Sequence, residues 1–138
     1  MAKKTRAKRG PSRNALGDYP VMAFVRVGAL PDPQTGVIDT FTRYSVLPRE
    51  LAERSGAKPT GKTGTLNIMR RAVHGRLVRV NMAALNGRCR GETTALVPDE
   101  DANWNKGLLL GGEFLQDTGM HVGSNGEAYC PIAPKRLK

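Results

Sequence analysis

The sequence predicts an α+β, β-rich fold: a small single domain of antiparallel strands with two short helices, behind a basic N-terminal arm that is disordered or ordered by a partner. Three observations lead there. Between Val37 and Leu47, the residues Ile38, Thr40, Thr42, Tyr44 and Val46 fall on one face and are all β-branched or aromatic, as strands prefer. Asn86-Gly87 sits between two alternating segments, the pattern of a hairpin with a two-residue type I′ turn. The excess positive charge is confined to the chain ends.

That third observation sets the domain limits. Residues 1–14 hold Lys3, Lys4, Arg6, Lys8, Arg9 and Arg13 with no acid, and the last four add Lys135, Arg136 and Lys138. These nine charges nearly account for the net +10, because residues 15–134 carry thirteen Lys and Arg against twelve Asp and Glu. Residues 1–17 are therefore read as an arm with little to bury, 18–133 as one compact domain and 134–138 as a basic tail. A chain of 138 residues suits one domain of ordinary size.

The elements follow in order. From Pro20 to Gly28, Val21, Ala23, Val25 and Val27 alternate with Met22, Phe24 and Arg26, so both faces are mostly apolar and an interior strand is expected. Pro31, Asp32, Pro33 and Gly36 make a long turn before the strand Val37 to Leu47. Pro48 opens a short charged helix, Arg49 to Arg54, as a first-turn proline that loses no hydrogen bond; Ser55-Gly56 ends it. After a polar loop, Thr65 to His74 reads as the second helix, capped by Thr65, with Leu66, Ile68, Met69 and Val73 toward the core.

The Asn86-Gly87 turn fixes a register. With Leu85 opposite Arg88, one face pairs Ala84 with Cys89, Met82 with Gly91, Val80 with Thr93 and Val78 with Ala95. The other pairs Ala83 with Arg90, Asn81 with Glu92 and Arg79 with Thr94. The first face is small or apolar and the second polar, so the turn sorts core from surface. Further on, short strands are expected near Leu108 to Phe114 and Glu127 to Pro131, with Phe114 and Leu115 as core residues.

Composition excludes some classes. The longest aliphatic run near the end is Leu108-Leu109-Leu110, far short of the roughly 18 apolar residues of a membrane helix, so no membrane partner is expected. The basic N-terminus is followed by no apolar block, unlike a secretory signal, and a cytoplasmic or virion location is expected. Cys89 and Cys130 lack metal-type spacing and are read as free, buried thiols in a reducing compartment.

Three constellations bear on function. Gly56-Ala57-Lys58-Pro59-Thr60-Gly61-Lys62-Thr63 satisfies the P-loop pattern, in which Gly56 and Gly61 would free backbone amides for phosphate oxygens, Lys62 would reach the outer phosphates and Thr63 would hold magnesium. Its setting, after a charged helix instead of a buried strand, favours a plain basic loop. Residues 49–90 carry ten Lys and Arg against Glu50 and Glu53, whereas 91–134 carry seven acids and only Lys106. If Arg79, Arg88 and Arg90 gather on the hairpin's polar face, they form a strip suited to phosphate; the plainer reading is a solvated face with Glu92 neutralising part of it. Asp99, Glu100 and Asp101 are either an interface for basic segments of another copy or an ordinary capping turn.

Catalysis is not expected. His74 and His121 have no acid-base partner at an informative spacing, and Ser124 lies in a turn sequence, Gly123-Ser124-Asn125-Gly126. No cofactor or metal is implied. The expectation is a non-enzymatic structural protein of a multicopy or nucleoprotein assembly, held to nucleic-acid phosphates by its arm and to copies of itself or other assembly proteins by its body. A basic arm ahead of a compact β-rich domain resembles the layout of small-virus coat proteins and of ribosomal proteins with RNA-threading tails. The near-neutral body favours the multicopy setting over a monomeric RNA reader. The alternative is a linker or cement protein whose tails grip acidic protein surfaces; a P-loop-like nucleotide binder is the weaker alternative.

Overall fold

The computed structural model describes residues 21–131. Along them run β1 (Val21–Val27), β2 (Gln34–Ile38), β3 (Ser45–Val46), α1 (Arg49–Ser55), β4 (Lys58–Ile68), β5 (Arg71–Ala84), β6 (Cys89–Pro98), a 3-10 turn (Glu100–Ala102), β7 (Leu108–Leu110), α2 (Gly112–Thr118), β8 (His121–Val122) and β9 (Ala128–Tyr129). The expected arm and the C-terminal basic tail lie outside the described residues.

The expected α+β sheet of antiparallel strands is not what forms. The domain is mostly β, and six strands close into a barrel in the order β1-β2-β7-β3-β6-β5, with β5 returning to β1 and β4 attached to β5. Two junctions are parallel, β2 with β7 and β3 with β6, so the strand directions are mixed. Closure depends on the length of β5. One edge pairs with β6 from Gly75 to Ala84; the other pairs with β4 over residues 71–79 and then with β1 through Val25·Ala84, Arg26·Ala83 and Val27·Met82. A closed barrel leaves fewer open strand edges than a flat sheet.

Closure also changes β1. Its burial alternates strictly, with Val21, Ala23, Val25 and Val27 inward and Met22, Phe24 and Arg26 exposed. An interior strand covered on both faces was expected; in a barrel only one face is covered by the core. The expected strand Val37 to Leu47 is broken as well. Asp39 turns the chain, accepting a hydrogen bond from the Phe41 amide at 2.9 Å, and the strand resumes only at Ser45.

The expected second helix, Thr65 to His74, is a β-hairpin. Leu66 pairs with Val73 and Ile68 with Arg71, around a turn in which Met69 and Arg70 have φ of 53° and 68°. His74 is thus not a helix terminus; its Nδ1 lies 2.6 Å from Thr65 Oγ1 across the strands. The true second helix, α2, begins at Gly112, where short strands were expected. The first helix runs from Arg49 to Ser55, with Pro48 at the cap position and Gly56 closing it at φ 75°.

The β5–β6 pairs are those read from the turn, from Ala84·Cys89 to Val78·Ala95, and the pairing continues to Gly75·Pro98. The turn itself differs. Pairing stops at Ala84·Cys89, and residues 85–88 form the connection, with the Gly87 amide donating to the Ala84 carbonyl at 3.0 Å and the Arg88 amide to that of Leu85 at 3.2 Å.

Two apolar clusters hold the fold. Val25, Val27, Ile38, Val80, Met82 and Leu110 fill the main core with Phe114 of α2. A second cluster joins Leu66, Ile68, Val73 and Leu77 of the β4–β5 hairpin to Val46, Leu96 and Leu109, with half-buried Trp104 against it. The sequence-expected free thiols are instead one disulfide, Cys89–Cys130, with Cα atoms 5.6 Å apart. Spacing of 41 residues says nothing about proximity; the barrel brings the two together. No helix among the described residues is long and apolar enough to cross a membrane.

Candidate nucleic-acid interface

The middle of the three pairs that close the barrel, Arg26·Ala83, faces outward, and Ala83 is also paired with Arg90 on β6. Arg26, Ala83 and Arg90 therefore form one row across three strands. With strands about 4.8 Å apart, the two arginine Cα atoms stand roughly 10 Å apart over a floor no taller than a methyl group. The next rows are Asn81·Glu92 and Arg79·Thr94, and Lys58 beside Arg79 carries the face onto β4.

Side-chain bonds set how much of this charge is free. Arg79 donates to Thr94 Oγ1 at 2.7 Å and to Glu92 Oε1 at 3.1 Å, so it is already partly neutralised. Arg90 and Arg88 have no acidic partner among the described residues, and both are exposed, Arg88 from the turn. Arg26 Nη1 donates to the Pro31 carbonyl at 2.6 Å, which orients the guanidinium without neutralising it. Of the predicted strip, then, Arg79 and Arg90 share the outward face and Arg88 borders it. Arg26 was missed; its signal was the alternation of β1, read as two apolar faces.

Two clefts open on this face. One of about 610 Å³ lies between Phe24, Arg26 and Pro33 on one side and Leu85, Asn86 and Gly87 on the other. A second, of about 300 Å³, is bordered by Gly28, Asn81, Arg90 and Gly91. Arg26 and Ala83 line both. Phe24, 70% exposed, was not singled out as a surface residue by the sequence reading.

The other predicted sites fall elsewhere. Residues 56–63 do not form a strand-loop-helix frame for phosphate: Gly56 caps α1, and Lys58 onward is strand β4. Gly61, with φ of 82°, lies in the irregularity between Pro59 and Thr63, and Lys62 and Thr63 are exposed on that strand. Lysines, a proline and a bulge are what keep an edge strand from pairing with another chain. The P-loop pattern is thus matched by residues suited to an edge.

Asp99, Glu100 and Asp101 lie beside the basic half of the body. The Asp99 amide donates to the His74 carbonyl at 2.9 Å, Arg71 Nη2 donates to the Ala102 carbonyl at 2.9 Å, and Arg49 lies 3.8 Å from Glu100. The two poles of the sequence are therefore adjacent in space at this point. Elsewhere, Arg43 bonds Glu113 at 2.8 Å, and its pKa is raised above the ordinary arginine value, first by that bond and then by the charges of Tyr44 and Glu113. No group of three or more His, Cys, Asp or Glu stands together as a metal site among the described residues. No protein-family model matches the chain, and no curated protein matches its sequence.

Proposed function

We propose that the chain is a non-enzymatic structural protein of a multicopy or nucleoprotein assembly that binds nucleic-acid phosphates. One observation carries the reading. Between Glu53 and Glu92 there is no acid and there are nine Lys and Arg, and this segment builds the β4–β5 hairpin and the start of β6. From this segment Arg79 and Arg90 share the barrel's outward face with Arg26, and Glu92 is the acid bonded to Arg79. Lys3, Lys4, Arg6, Lys8, Arg9 and Arg13 precede that body and Lys135, Arg136 and Lys138 follow it, adding charge that needs no particular base sequence.

The test is deletion of residues 2–14 with polyanion binding measured against salt. If all six arm charges neutralise single-strand phosphates, the logarithmic salt slope falls by about 4 on deletion. Unchanged affinity and slope would mean that the arm is not the binding element. Absorbance of natively purified protein separates the linker alternative: a nuclease-sensitive excess at 260 nm supports nucleic acid, and a clean protein spectrum with acidic partner proteins supports the linker.

A further inference from the structure

We propose that the outward face of β1 and β5 is a base-stacking site for single-stranded nucleic acid, with Phe24 as the platform and Arg26 as the phosphate contact between two adjoining clefts. The inference rests on the nucleic-acid reading above and adds to it the form of the strand that is bound.

Phe24 projects from a regular strand into solvent, opposite Thr35 on β2, and Met22 continues the apolar strip along the same face. A phenyl ring left in water forgoes the gain of burial, so a partner that covers it recovers that apolar surface. The larger cleft begins at this ring and the smaller lies beyond Arg26, so one side chain stands between two successive recesses. Because Ala83, between Arg26 and Arg90, carries only a methyl group, the floor is low enough for flat groups. The guanidinium commits one N–H to Pro31 and keeps its other donors for an anion.

Charge selects the occupant. Arg26 and Arg90 border the recesses, so a second copy meeting this face about a two-fold axis would oppose arginine with arginine. A polyanion with planar apolar groups satisfies both the cations and the ring. A duplex has its base faces already stacked; an unpaired strand presents them.

The experiment uses the full chain and fluorescence anisotropy with a labelled oligothymidylate of about 15 nucleotides, set against a duplex of equal length, over a range of salt. Loss of one stacked base predicts that Phe24→Ala weakens single-strand binding about 5- to 100-fold with an unchanged salt slope and little effect on the duplex. Phe24→Trp should retain affinity. Arg26→Ala should weaken binding and lower the slope by about 0.7. Single-strand binding by Phe24→Ala equal to wild type overturns this proposal alone, as does equal loss for single strand and duplex. A change in oligomeric mass with unchanged binding assigns the face to self-association and also overturns it. If the wild-type chain binds neither nucleic acid, the broader reading falls with it.

Discussion

Cys89, the first residue of β6, is disulfide-bonded to Cys130, just past β9, and so ties the end of the described chain to the barrel. Strands β8 and β9 pair only with each other among the described residues, so this bond anchors a hairpin that the main sheet does not hold. The bond closes a loop of 41 residues, and the loop-entropy relation gives about 4 kcal/mol for that length. Reduction, or Cys130→Ser, should lower the guanidinium midpoint accordingly. Equal midpoints with and without reductant would contradict this.

Gly91 of β6 lies directly under the Asp117 carbonyl of α2, and a Cβ there would overlap that backbone oxygen. Neither backbone can yield as a flexible side chain would. Gly91→Ala should therefore destabilise the protein by about 1–3 kcal/mol, the usual cost of overpacking. A melting temperature equal to wild type would show that α2 is not seated on β6 in this way.

Phe114 and Phe24 are opposite cases of one side chain. The first is fully buried in the main core and the second projects into solvent. Phe114→Ala should cost about 3–5 kcal/mol through the cavity it leaves. Phe24→Ala should stay within about 0.5 kcal/mol of wild type, as exposed substitutions do. Urea titration of both variants checks the pair, and a large loss for Phe24→Ala would refute its exposure.

Lys58 and Lys62 sit on β4, whose described pairing is with β5 alone. Replacing both with valine should increase self-association, measured by light scattering, because charge is a main deterrent to edge pairing. Lys62→Ala should leave the thermal midpoint equally unresponsive to magnesium and ATP as the wild type. Stabilisation of the wild type by ATP, lost in that variant, would restore a nucleotide site.

The candidate face was partly legible. Arg79 and Arg90 were placed together because a tight turn counts residues on both strands. Arg26 and Phe24 were not, since an alternating strand with apolar residues at both parities reads as buried on both sides. The β4–β5 hairpin was read as a helix because Leu66, Met69 and Val73 recur at helical spacing; Met69-Arg70 carries none of the glycine or asparagine that marks a turn with positive φ.

Amino-acid order by itself determined the β5–β6 register, the helix between Pro48 and Gly56 and the concentration of charge at the ends and from Arg49 to Arg90. Each depends on turn geometry, side-chain alternation or composition, which act over a few neighbouring residues. Only the tertiary structure decided that β5 closes onto β1, that Cys89 meets Cys130, that the acidic turn lies beside Arg49 and Arg71, and that Phe24 and Arg26 share an open face with Arg90. Those relations join segments far apart in the chain. They are set by how the barrel distributes one core among six strands, and no local pattern encodes which face that leaves outside.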